Sequence, residues 1–178
     1  GHGGSLIRLS QHKEINEYDF VLTLDFDFCY LIKDLSTFFE MSSDDTILIG
    51  RRKAFDEGFF RQFITSVSES LIYLKTFLIF NDTNCPIRLY PSSIFLKIWK
   101  NIPIGTLIPN IFSTYLILKN SYSFERIYLN KNNTMQLEST TWGNNFFLKK
   151  FKILKFSFNS LRQLLFFKID KVNSKFQS

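Results

Sequence analysis

Cysteine is nearly absent: Cys29 and Cys85 are the only two in 178 residues, too few for a disulfide framework, so a reducing compartment is the expectation. Nothing resembles a signal peptide. The most apolar internal run, Leu71 to Phe80, is broken by Lys75 and falls far short of the roughly 20 residues a bilayer span requires. No methionine opens the chain. Gly1-His2 stands there instead, as expected of a chain that was cut, processed or left with a tag remnant. Acid is scarce at the other end: from Thr141 to Ser178, Asp170 is the one carboxylate among eight Lys and Arg, while the preceding 140 residues sum to −1.

What is present fits one domain of ordinary size with a real core. Phenylalanine is abundant, 22 of 178, which reads as a base-composition bias of the source as much as an aromatic-rich surface. The C-terminal lysines alternate with Phe146, Phe147, Phe151, Phe156, Phe158, Phe166 and Phe167. Such a segment can lie on an anionic membrane surface; it is equally the pattern of a terminal helical pair that covers the core and points its lysines to water. The division expected is a body over residues 1–140 and a basic amphipathic helical segment over 141–178.

The body is organised around Asp19 to Tyr30. Phe20 to Leu24 is an apolar run, as in a strand buried on both faces of a parallel sheet. Asp25 and Asp27 follow where the strand leaves the sheet, and ligands of open α/β sheets bind at carboxyl ends. An Asp-x-Asp pair there can hold a hard dication completed by water and phosphate oxygens; the plainer reading is two acids capping the next helix. Gly3 and Gly4 in a glycine-rich opening that turns into a helix offer backbone N–H groups to a phosphate, or form a flexible start.

Leu31 to Met41 reads as a helix with Leu31, Leu35, Phe38 and Phe39 on one face, and Thr46 to Ile49 as a short buried strand ended by Gly50. Arg51, Arg52 and Lys53 then place cations on the rim of the acid pair if the two strands run parallel, where guanidinium groups suit phosphate. A solvated basic loop is the alternative. Phe59, Phe63, Val67, Leu71 and Leu74 recur at helical spacing to about Phe80. Arg61 in that helix's first turn opposes the dipole, so an anionic partner would explain it. Asp82, in the polar loop before a strand at Ile87 to Tyr90, is a candidate general base, or else opens an Asx-turn. Helices to about Lys100 and from Pro109 to about Lys119, then a strand from Phe124 to Leu129, complete the body.

Taken in order, Gly3-Gly4-Ser5-Leu6, Val21 to Asp27, Ile49-Gly50-Arg51-Arg52, Arg61, Asp82 to Tyr90 and Ile108-Pro109-Asn110 resemble family 2 glycosyltransferases, particularly those related to dolichol- and polyprenyl-phosphate sugar transferases. The likeness spans about residues 1–130. It implies an α/β fold, a partial A-type, Rossmann-like, mostly parallel sheet flanked by helices. It also implies a metal-dependent, inverting transferase that moves a sugar from a nucleotide-sugar donor to a polyprenyl-phosphate or glycan acceptor, in cell-envelope glycan synthesis. Asp25 and Asp27 would hold Mg2+ or Mn2+ against the diphosphate, with Asp25 also facing the donor. Gly3, Gly4, Arg52 and Arg61 would bind substrate, and Asp82 would act at the acceptor. The chain departs from the family in lacking the two strands that grip the nucleotide base before Gly1. Phe28, Cys29 and Tyr30 also replace the small residue, Gln and His often found after the acid pair. The strand of Phe20 would then lie at an apolar sheet edge. A cytoplasmic protein, peripheral on the membrane through 141–178 and without nucleic acid, is the matching expectation. The competing readings are an inactive remnant that at most binds a partner, and a basic module that binds membrane or nucleic acid.

Overall fold

The computed structural model of the chain describes residues 2–24, 32–52, 59–130, 155, 158–160 and 162–167. Helix α1 spans His2–Leu9 and is followed by a 3-10 turn, Lys13–Glu17. Strand β1 is Phe20–Thr23, α2 Ile32–Glu40, β2 Thr46–Arg51 and α3 Phe59–Thr76. Then come β3 Arg88–Pro91, α4 Ser92–Trp99, α5 Pro109–Lys119 and β4 Ser123–Tyr128. Residues 158–160 and 162–166 are helical. Most bounds follow local chemistry: Pro109 begins α5, where its missing N–H costs nothing. Helix α3 stops at Thr76, short of the Phe80 expected, because Phe77 turns to φ 57° and the Thr76 hydroxyl accepts from the Leu78 N–H.

The sheet is mixed, in the order β1-β3-β2-β4. β3 runs antiparallel to both β1 and β2, and β4 runs parallel to β2. The expected mostly parallel sheet is therefore corrected to a mixed one flanked by helices. The reason lies in residues 77–87. After α3 the chain runs back beside β4, where Phe80 packs on the Phe124 ring at 5.3 Å and Asn81 O accepts from Arg126. It thus reaches the edge that β2 has just left, and β3 must descend from there. β1 pairs only with β3 among the described residues and is half-buried rather than covered on both faces.

Side-chain alternation divides the sheet between two cores. Ile47, Ile49 and Tyr90 point to the face carrying α1, α3, α4 and α5, where Phe95, Trp99, Phe112 and Ile117 pack. Leu48, Leu89 and Ile87 point to the opposite face, against Phe38 of α2. The C-terminal pieces join the larger core: Leu164 is fully buried, and the Phe167 ring meets Phe112 at 4.6 Å. The expected face of α2 packs through Leu35 and Phe38, while Phe39 is exposed. On α3, Phe63 and Leu74 are exposed, while Ser68 and Ile72 are buried.

Gly50 sits where β2 passes beneath the loop before β3. A Cβ there would lie 2.7 Å from Leu129 Cδ1, 3.0 Å from Cys85 Sγ and 3.3 Å from Ile87 O. The last of these is backbone already bonded to the Gly50 N–H at 2.9 Å and cannot retreat. Gly50→Ala is expected to cost about 2 kcal/mol through overpacking. It should lower the thermal midpoint by about 5 °C; a midpoint unchanged in a calorimetric scan would contradict the packing described.

Candidate functional site at the carboxyl-end rim

Because β1 and β2 both run antiparallel to β3, they point the same way, and β4 points with them. Three carboxyl ends and the amino end of β3 therefore meet at one rim. Leu24 ends the described part of β1 there; Asp25 and Asp27 lie outside the described residues. Arg51 and Arg52 leave β2 at the same rim, Asp82 to Cys85 enter β3 from it, and Tyr128 to Asn130 leave β4 on it.

Arg52 and Asp82 form the rim's best-built pair. Asp82 Oδ1 accepts from Arg52 Nη2 at 2.6 Å. Asp82 Oδ2 accepts from Arg52 Nε at 3.0 Å and from the Arg52 backbone N–H at 2.9 Å. Both oxygens are thus committed to one residue, in fork-on-fork geometry. Asp82 adopts φ 55°, a left-handed conformation that Asp tolerates better than most residues. Its own N–H donates to Glu69 Oε1 at 2.6 Å, which ties the loop to α3.

Around this pair lie further charges. Arg126 donates to Asn81 O at 2.7 Å and Gly50 O at 3.2 Å, and its guanidinium lies 4.3 Å from the Phe80 ring centroid. Burial lowers its pKa to about 10, with Asp82 opposing the shift, so it stays cationic at neutral pH. Arg51 donates to the Tyr128 hydroxyl at 2.9 Å. Arg88 is wholly buried beneath the loop and donates to Cys85 O, Thr83 O and Thr114 Oγ1 at 2.8 to 2.9 Å. Its Nη1 finds no partner among the described residues. Asp34 of α2 accepts from the Asn130 N–H at 2.7 Å and fixes the chain leaving β4. The described rim therefore sets four guanidinium groups, from Arg51, Arg52, Arg88 and Arg126, beside three carboxylates, Asp34, Glu69 and Asp82, the last two interacting with each other. One signal for Arg88 was legible, a cation inside a strand buried at every position. Glu69 and Arg126 gave none, since each is an ordinary charge on an amphipathic element.

Burial raises the Glu69 pKa above the usual carboxylate range, with the Asp82 N–H bond and Arg126 opposing and Asp82 adding. The folded chain thus holds that proton more tightly than the unfolded chain does. Glu69's contribution to stability is full below the ordinary glutamate pKa and is lost as pH climbs through the raised one. Glu69→Gln still offers an amide oxygen to the Asp82 N–H, so it should remove that downward slope without loosening the loop. Urea midpoints at pH 4 and pH 7 test this; a slope identical in both proteins contradicts it. Burial, with Asp82 adding, pushes the Cys85 thiol up to about 11, so it is unreactive at neutral pH.

Of the residues expected at the site, Arg52 and Asp82 meet directly. Gly3 and Gly4 lie within α1, the helix starting at His2, and a Cβ at Gly4 would enter open space. Arg61 lies in the first turn of α3, and its side chain falls outside the described residues. Among the described residues no cluster of three or more His, Cys, Asp or Glu side chains is arranged to hold a metal. Asp82, with both oxygens taken by Arg52, is not a free ligand. In comparisons with protein-family models, curated proteins and solved structures, the chain matches none.

Proposed function

We propose that the rim is the acceptor-side part of a glycosyltransferase site, which moves a sugar from a nucleotide-sugar donor to a polyprenyl-phosphate or glycan acceptor. The observation that carries this reading is the shared direction of β1 and β2, which brings the end of β1 at Thr23 and the Arg51-Arg52 end of β2 to one edge. The guanidinium forks of Arg51 and Arg52 at that edge suit a diphosphate. Asp25 and Asp27 would hold Mg2+ or Mn2+, whose Lewis acidity would stabilise charge on the departing nucleotide diphosphate.

The chain's own groups would do the rest. Arg52 is held against Asp82 until a phosphate competes for its fork. As it turns to the phosphate, an Asp82 oxygen is released to accept a proton from the acceptor hydroxyl. Arg51 and Arg126 keep the edge cationic throughout, and Arg61 would add a further phosphate contact.

Calorimetric titration of UDP- and GDP-sugars, with and without Mn2+, tests the reading. Metal-dependent binding weakened at least about tenfold, or 1.4 kcal/mol, by Asp27→Ala is expected. Binding that ignores both the metal and Asp27, or no binding at all, contradicts it.

A further inference from the structure

The chain's charge divides more sharply than its tail alone shows. Residues 83–178 carry fourteen Lys and Arg against three acids, Glu125, Glu138 and Asp170. Not one acid lies between Asp82 and Glu125, a stretch that includes α4, α5 and the turn joining them.

That turn projects apolar tips into solvent. Ile104 is 83 % exposed and Leu107 41 % exposed, and Gly105 permits the turn with φ 84°. The C-terminal helical pieces are fastened beside it. Gln163 Oε1 accepts from the Leu107 N–H at 3.1 Å and the Thr106 hydroxyl at 3.3 Å, while Leu164 anchors in the core. This fixes Phe158, Leu165 and Phe166 on the outside, the last 76 % exposed, with Lys155 and Arg162 exposed among them. Between turn and helix lies an open depression of about 440 Å³, lined by Gly105, Leu107, Asn159, Arg162, Gln163 and Phe166.

Topology fixes which end of the molecule this is. The last turn of α5 leads through Tyr122 to the start of β4, opposite the rim. The first turn of α5, and the 100–108 turn before it, therefore lie toward the rim. The Thr114 hydroxyl of α5 bonds Thr83 O in the rim loop at 2.8 Å.

We infer that this face docks on a bilayer surface bearing anionic headgroups. Arg162 takes a headgroup phosphate in the depression, and Ile104 and Phe166 enter the interfacial hydrocarbon on either side. Charge of one sign around isolated bulky apolar tips matches an interfacial surface. Ile104 and Leu107 offer no platform on which bases could stack, whereas Phe158 and Phe166 do, and competition by nucleic acid separates the two occupants. No helix among the described residues is long and apolar enough to cross a membrane. It stands apart from the transferase reading, and it would bring a membrane-borne acceptor to the rim end.

The full chain is to be sedimented with vesicles of neutral phosphatidylcholine alone, or mixed with phosphatidylglycerol, across a salt series. Salt-sensitive binding to the mixed vesicles, reduced at least about tenfold by Ile104→Asp with Phe166→Asp, is expected. Both positions are exposed, so thermal midpoints should match the parent. If the paired variant does not fold, Ile104→Trp replaces it, and brominated acyl chains should quench it beyond the native tryptophans. The inference is overturned by no binding to anionic vesicles, or by binding that the paired variant leaves intact. It is equally overturned by tryptophan quenching no greater than native, or by displacement from vesicles by equimolar single-stranded nucleic acid.

Discussion

Arg88→Ala should cost about 4 kcal/mol of stability, among the larger effects a single substitution produces. Arg88 is fully buried and supplies three hydrogen bonds that no neighbour can replace in kind. Truncation leaves Cys85 O without that donor and opens a cavity beneath the loop; an orphaned buried acceptor alone costs about 1 to 3 kcal/mol. Thr83 O keeps its bond from Thr114, which limits the damage. Arg88→Met fills the space without burying a charge and should lose less than half as much, because Nη1 of the native guanidinium is already unpartnered. Urea titration measures both. Thiol labelling in a Cys29→Ala background adds a local readout, in which Cys85 stays protected in the parent and labels readily in Arg88→Ala. Stability of Arg88→Ala within 0.5 kcal/mol of the parent, a surface-like value, would refute the keystone role assigned to it.

Asp82→Ala is the second large effect, at about 3 kcal/mol, the scale of breaking a mostly buried ion pair from one side. The substitution removes the Asp82 carboxylate from both the Arg52 fork and the Arg52 backbone N–H. It also places alanine at φ 55°, which adds about 1 kcal/mol that asparagine would largely escape. Asp82→Asn retains one acceptor oxygen and tolerance for that backbone, and should lose about half as much as alanine. Equal losses would mean that neither the retained acceptor nor the left-handed backbone contributes, and no loss in either would mean that the Arg52 pair is not what closes the loop.

Much of the element order was legible because it is local. Pro109 at a helix start, Gly50 at a strand end and the period change after Phe59 each mark a boundary through their own backbone chemistry. Strand direction was not legible. Whether β3 is parallel or antiparallel depends on the chain climbing beside β4 after α3, and the contacts guiding it, Phe80 to Phe124 and Arg126 to Asn81, span about 45 residues. One helix face misled as well. Phe63 and Leu74 satisfy the apolar spacing of α3, yet Ser68 and Ile72 are the residues it buries, since a small polar residue does not register in an apolar pattern. At the site, Arg52 and Asp82 were each flagged by residue type at a strand end, and the fold pairs them across 30 positions. Glu69 and Arg126 became visible only in three dimensions, because a lone charge on an amphipathic element reads as a solvated face.

The dication proposed at the carboxyl ends of β1 and β2 is tested most directly by paramagnetic broadening with Mn2+. The chain carries a built-in control, the exposed acids Asp44 and Asp45 at the opposite end of β2, six residues or about 20 Å away. Substoichiometric Mn2+ is predicted to broaden the amide signals of Arg51, Arg52 and Asn130 while sparing Asp45 and Ser123, and Asp27→Ala is predicted to abolish the effect. Broadening centred on Asp44 and Asp45, or unchanged by Asp27→Ala, would contradict the site.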